Sequence, residues 1–157
     1  MADETTTQDK QFTITRVFDA PRELVWQAWT DPDEAAVWWH PRGIKTPRDS
    51  VRIDARVGGQ YAYTMIAPDG AQYPTAGEYA EIDPPERLVF TWGSPDDDRA
   101  FVPVITVHLA EHGDSGEQTL MTFDVRGYDA RPGDADVYDG WDQAFDLLAE
   151  RLPELRH

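Results

Sequence analysis

Four histidines, three serines and no cysteine bound the chemistry open to this chain of 157 residues. Without cysteine there is no disulfide, no thiolate metal site and no thiol nucleophile. His108 and His112 have the H-x3-H spacing of a helical metal site. The alternation around them reads instead as a strand, where four residues span ~13 Å, too far for one ion. No metal is therefore expected. Asp96-Asp97-Asp98 suggests calcium, but the sixth position counted from Asp96 is Phe101 and the twelfth is Val107. A calcium loop needs glycine and glutamate there, so the run reads as a solvated acidic loop. Ser50, Ser94 and Ser115 are not in a G-x-S-x-G setting, which argues against a serine hydrolase. Gly58-Gly59 does not open a helix and so is no phosphate cradle; it reads as a sharp bend where a side chain would clash. His40 remains as the one candidate acid–base group, with Tyr61, Tyr63 or Asp54 as companions. A surface-loop histidine is the plainer reading of the same residue. Asp54 and Arg56, placed on the second strand before the glycine bend, read as an ion pair. Nothing calls for a cofactor.

The aromatic residues are more informative. Trp29, Trp38, Tyr61, Tyr63, Tyr79, Phe90, Trp92, Phe123, Trp141 and Phe145, with Met65 and Met121, fall on positions that point to one interior. They either fill a core or line a cavity, and tyrosine hydroxyls as sparse polar groups suit the second reading. Tyr63, Tyr79, Trp92 and Phe123 are central in their strands, so they are the foremost candidates for a gap facing the middle of a covering helix.

The elements that would hold these residues follow from periodicity. Residues 1–9 read as a disordered tail and 10–157 as a single domain. Lys10 to Phe18 alternates as a strand. Asp19 is placed to cap a helix starting near Pro21, in which Leu24, Val25, Ala28 and Trp29 share a face. Asp31-Pro32 opens a second short helix towards Trp38. From Val51 the period is two: Tyr61, Tyr63 and Met65 on one strand, a turn at Pro68-Asp69-Gly70, and a return strand from Tyr73 to Ile82. Strands at Arg87–Trp92, Pro103–Glu111 and around Met121, Phe123 and Val125 follow. The last element is a helix from about Asp134 to Leu152, with Val137, Trp141, Ala144, Phe145, Leu148 and Leu152 as its apolar stripe. Asp134, Asp136 and Asp139 suit the positive end of its dipole. Only this helix is long enough to cover the sheet. The expected fold is α+β of the helix-grip kind, with about six or seven antiparallel strands curved around the C-terminal helix.

Charge narrows the partners. Thirty Asp+Glu stand against 14 Lys+Arg, a net charge of −16, and Lys10 and Lys45 are the only lysines. Such a surface repels phosphate backbones and anionic lipid, so nucleic-acid and membrane roles are not expected. It reads as a solvated acidic coat, with adaptation to high salt as a sharper alternative. No apolar run approaches a membrane span, and Met1 to Lys10 has no signal-peptide core, so a cytoplasmic location is expected.

Five segments in order then carry a resemblance: ITRVFDAPRELVWQAWT, DPDEAAVWWHPRGIKTP, DARVGGQYAYTMIAPDG, EYAEIDPPERLVFTW and Gly140-Trp141. Over about residues 12 to 152 the chain resembles the family named for the C-terminal domain of the heat-shock-protein-90 ATPase activator, within the START-like, birch-allergen-like (SRPBCC) superfamily. The resemblance implies the helix-grip fold and supplies no shared catalytic motif. Where that family usually has Trp-Trp-Gly-Pro, this chain has Trp38-Trp39-His40-Pro41. Its chaperone-activating members carry a further N-terminal domain that these residues do not include. The leading expectation is non-covalent binding of a small apolar or aromatic molecule, lipid-like or polyketide-like. The alternatives are a cyclase- or hydrolase-type enzyme using His40 and a tyrosine, and an interaction module with a chaperone partner. The outer sheet face, Ala62, Thr64, Glu78, Thr91, Thr106, Thr122 and Asp124, is mostly small or polar and weighs against the last.

Overall fold

A computed structural model describes residues 11–93, 102–127, 133 and 137–155. The chain forms β1 (Gln11–Phe18), α1 (Arg22–Thr30), α2 (Pro32–Trp38), β2 (Arg52–Ile53), β3 (Gln60–Ile66), β4 (Gln72–Asp83), β5 (Arg87–Thr91), β6 (Val104–His112), β7 (Gln118–Arg126) and α3 (Val137–Leu155). The strands make one curved antiparallel sheet in the order β1-β7-β6-β5-β4-β3-β2. Each strand from β2 to β7 pairs with its predecessor or successor in sequence, and β1 closes the far edge against β7. This is the expected helix-grip architecture.

Alternation decides which face is covered. Ile105, Val107 and Leu109 on β6 and Met121, Phe123 and Val125 on β7 are buried, while their neighbours face outward. Phe123 lies opposite Ile14 of β1 and Val107 of β6, in the middle of the sheet. Against this face α3 lays Ala144, Phe145, Leu148 and Leu152, all buried. The helices α1 and α2 add Val25, Ala28, Trp29, Ala35 and Trp38 to the same core.

Polar contacts fix α3 in place. Arg16 of β1 bonds Asp142 at 3.0 Å and Asp146 at 2.6 Å. Arg151 holds Glu34 of α2 through two hydrogen bonds, 2.7 and 3.2 Å long. Arg42, in the loop after α2, pairs with Glu150.

Local expectations differ in three places. Pro21, not Asp19, is the N-cap of α1, and no side chain caps it. The Pro21 carbonyl instead takes the N–H groups of Leu24 and Val25, so the helix begins one residue later than the sequence suggests. Asp31 does cap α2, accepting from the N–H of Asp33 at 2.8 Å, with Pro32 in the first turn. β2 is only two residues long, so Asp54 and Arg56 lie beyond it; they form the expected ion pair at 2.9 Å. Gly58 has φ +83°, and a Cβ on Gly59 would stand 2.1 Å from the Asp54 carbonyl, which is why two glycines make this bend. β5 ends at Thr91, leaving Trp92 just past it. The expected tail over 1–9, the Asp96-Asp97-Asp98 loop and the acidic residues Asp134 and Asp136 lie outside the described residues. Among the described residues no helix is long and apolar enough to cross a membrane.

Candidate functional site

The chain after α2 is folded tightly on itself. Trp39 has φ −77° and ψ 57°, and the N–H of His40 donates to the Trp38 carbonyl at 2.8 Å. This inverse γ-turn reverses the chain at the helix end. Pro41 to Ile44 then turns again, with Gly43 at φ +86° and the Ile44 N–H on the Pro41 carbonyl at 3.2 Å. Lys45 exchanges two backbone hydrogen bonds with Ile66 at the end of β3, 3.0 and 2.7 Å long. The Thr46 hydroxyl donates to the Trp39 carbonyl at 2.8 Å, closing the loop. Gln143 of α3 accepts from the N–H of Arg42 at 3.1 Å. The loop is thus tied to both sheet and helix, and His40 sits at its apex.

Beneath it lies a cavity of about 420 Å³, open on one side. Trp39, His40, Pro41 and Ile44 come from this loop, Tyr63, Met65 and Tyr73 from the β3–β4 hairpin, Trp92 from the end of β5, and Val137, Gly140, Trp141 and Ala144 from α3. The walls are chiefly aromatic and aliphatic. Tyr63 is buried, with the side chains of Thr75 and Trp92 beside its hydroxyl. Burial pushes its phenol up to about 12. His40 Nδ1 lies 3.1 Å from Thr46 Oγ1, and burial lowers the imidazole below its ordinary value. Among the described residues neither carboxylate nor cation lines the cavity.

Of the residues singled out from sequence, His40, Tyr63, Met65, Trp92 and Trp141 meet at this cavity. Trp29, Trp38, Tyr61, Tyr79, Phe90, Met121, Phe123 and Phe145 do not; they fill the core beside it. The reason is the two short helices. They drive Trp29 into the middle of the sheet, its ring 6.1 Å from Phe123 and 6.3 Å from Phe145, while Phe123 and Phe145 meet edge to face at 5.0 Å. No room is left at the sheet centre, so the gap lies towards the β3–β4 end. Tyr61 crosses under β4 and donates its hydroxyl to the Thr91 carbonyl at 2.7 Å. Burial, with some repulsion from Asp54, raises the Tyr79 phenol. The space enclosed by Trp29, Trp39, Tyr61, Tyr79, Leu88 and Phe90 is about 10 Å³, too small for a ligand. Of the companions expected for His40, Tyr63 shares its cavity, whereas Asp54 pairs with Arg56 and Tyr61 with Thr91. Thr46, the partner it has, was not among those companions. Trp39, Pro41, Ile44, Tyr73, Val137, Gly140 and Ala144 also line the cavity without having been singled out as site residues. The small residues Gly140 and Ala144, one turn apart on α3, were the readable sign of where the helix stands off the sheet.

The model of the family described as "Activator of Hsp90 ATPase homolog 1-like protein" matches residues 19–153. The chain belongs to that family. Among solved structures, a protein from Chromobacterium violaceum is 29% identical, with 90% of this chain and 96% of that one covered and a TM-score of 0.74. A protein from Nitrosomonas europaea, 22% identical over 94% and 96% of the two chains, has a TM-score of 0.77 and shows the shared fold. A Plasmodium falciparum protein described as an HSP90 activator is 22% identical, covers 78% of this chain and 76% of its own, and has a TM-score of 0.58. No curated protein matches the chain.

Proposed function

We propose that the protein binds a small apolar or aromatic molecule, non-covalently, in the cavity under the His40 loop. The observation that supports this is the cavity itself: about 420 Å³ walled by Trp39, Tyr63, Met65, Trp92 and Trp141 with few polar groups. Ligand sites commonly occupy ~300–1,000 Å³ with this kind of lining. A two-ring aromatic burying on the order of 250 Å² would gain roughly 6 kcal/mol at ~25 cal/mol per Å², before the cost of association. Acid–base catalysis by His40 is the weaker alternative, because its neighbour is a threonine hydroxyl and no carboxylate lines the cavity among the described residues. A chaperone partner would rest on the family description alone, so the small-molecule reading is preferred.

Gly140 offers the test. A Cβ there would meet only Pro41 Cβ and Cγ, both at 3.9 Å, an ordinary contact. A leucine would therefore extend into the cavity without disturbing the sheet. N-phenyl-1-naphthylamine should bind the parent protein at one saturable site, with tryptophan emission changing at the same midpoint. Gly140→Leu should weaken it by tenfold or more while the urea midpoint holds. No saturable binding, or binding indifferent to Gly140→Leu, would remove this cavity as the ligand site.

A further inference from the structure

We propose that His40 presents a bare Nε2 to the cavity as a hydrogen-bond acceptor, and that the ligand is an aromatic compound carrying a hydroxyl donor. This deepens the binding reading and rests on it. The argument starts from the Thr46 hydroxyl, which has one proton. That proton goes to the Trp39 carbonyl, an atom that can only accept, at 2.8 Å. Thr46 Oγ1 has none left to give to His40, 3.1 Å away, so in this pair Nδ1 must be the donor. The neutral ring therefore carries its proton on Nδ1, and Nε2 holds the free lone pair. Burial keeps the ring in its neutral form near pH 7 by lowering its affinity for a second proton.

Nδ1 is turned to Thr46, inside the loop, and His40 also lines the cavity. The opposite edge of the ring, with Nε2, is what the imidazole has left to offer a ligand. Among the described residues Nε2 has no hydrogen-bond partner. One further polar atom of the wall, Trp39 Nε1, is a buried donor with no partner among the described residues, and it would complement the oxygen of the same ligand hydroxyl. Trp92 has only its indole N–H to offer, and it lies, with the Thr75 side chain, beside the Tyr63 hydroxyl. The Tyr73 side chain stands at the rim, 49% exposed. A ligand with a donor placed against His40 gains a hydrogen bond, and one without it leaves a half-buried acceptor dry. Sites of this kind reject the analogue that lacks the donor. Thr46 is a positioning residue: it sets the tautomer without touching the ligand.

Matched probes test this. 2-Naphthol and 2-methoxynaphthalene have nearly the same aromatic body, but only the first donates. Titrated into the parent protein near neutral pH, 2-naphthol should bind about five- to tenfold tighter, the worth of one net hydrogen bond. His40→Phe should abolish that preference, so that the two probes bind alike. Nitrogen-15 spectra of the histidine rings should show Nδ1 protonated and Nε2 bare at one ring, a pattern that fades in Thr46→Val. Equal binding of the two probes by the parent, or a preference that survives His40→Phe, overturns the acceptor assignment and leaves the cavity reading intact. The opposite tautomer at His40 overturns it as well. Binding of neither probe overturns both readings together.

Discussion

Gly77 in β4 is the residue whose replacement the sheet should tolerate least. A Cβ built on it would lie 2.0 Å from the Thr91 carbonyl oxygen, and 2.5 and 2.8 Å from Cε1 and Cζ of Tyr61. Non-bonded heavy atoms settle at ~3.5–4 Å, so the chain would have to open by more than an ångström. The obstruction is backbone on one side and a packed ring on the other, so no rotamer change relieves it. Thr91 is also a junction. Its carbonyl accepts the Tyr61 hydroxyl at 2.7 Å and its Oγ1 accepts the N–H of Glu78 at 2.9 Å, replacing a ladder bond between β4 and β5. Gly77→Ala should therefore combine overpacking, about 1–3 kcal/mol, with strain or loss at two hydrogen bonds, about 1 kcal/mol each. A loss of roughly 3–5 kcal/mol is expected, a large part of the ~5–15 kcal/mol that holds a domain folded. Urea unfolding followed by tryptophan fluorescence and far-ultraviolet circular dichroism reads it directly. Gly140→Ala is the internal control. Its Cβ meets nothing closer than 3.9 Å, and replacing a helical glycine should add roughly 0.5–1 kcal/mol. A Gly77→Ala protein within 1 kcal/mol of the parent, at unchanged m-value, would refute the steric argument.

Glu34→Ala should cost about 2–3 kcal/mol in urea unfolding, below the ~3–5 of a fully buried pair, because the Arg151 side chain keeps 28% of its exposure. The double replacement Glu34→Met with Arg151→Leu should recover at least half of that loss, and no recovery would mean the pair does more than neutralise itself. Tyr63, with its folded value pushed up to about 12 from 10.0, stabilises the fold fully below pH 10 and loses that contribution as pH rises towards 12. In Tyr63→Phe the fall of stability with pH over that interval should therefore be shallower by about one proton, and an unchanged slope would place the phenol in water. The thermal midpoint should rise from low salt to molar potassium chloride, because salt screens the repulsion of a −16 chain. The ion pairs it also weakens are mostly exposed and worth little each, so a flat or falling series would show that repulsion does not limit stability.

The covered face of the sheet was legible residue by residue. Period-two alternation picked out Tyr61 and Tyr63, Leu88 and Phe90, Ile105, Val107 and Leu109, and Met121, Phe123 and Val125, all of them buried. The stripe on α3 was legible for the same reason: Ala144, Phe145, Leu148 and Leu152 are buried, and Val137 and Trp141 border the cavity. Periodicity says which face a residue takes, but not whether the opposing layer reaches it. Phe123 and Tyr63 therefore looked alike in sequence, although Trp29 and Phe145 close over the first and nothing in the described residues fills the space beside the second. Strand ends were lost where bonding rather than pattern sets them. Trp92 continues the alternation of Leu88 and Phe90, yet its N–H pairs with the Pro103 carbonyl outside β5. His40 could be named as a candidate from its neighbours Trp39 and Pro41. Its partner Thr46 could not, because the γ-turn and the Lys45–Ile66 bridge that bring them together leave no periodic trace.

Among the described residues the cavity wall is drawn from three short stretches, residues 39–44, 63–73 and 137–144, with Trp92 between them. Little of it belongs to the tightly filled centre around Trp29, Phe123 and Phe145. Recognition and foldability are therefore written in largely separate letters of this sequence. Substitutions at Ile44, Met65, Tyr73, Val137 or Gly140 can change the shape offered to a ligand while the aromatic centre goes on specifying the same scaffold. Such a chain can drift between ligands through single, individually tolerated steps. A family built on this plan should diversify in what it holds long before it diverges in how it folds.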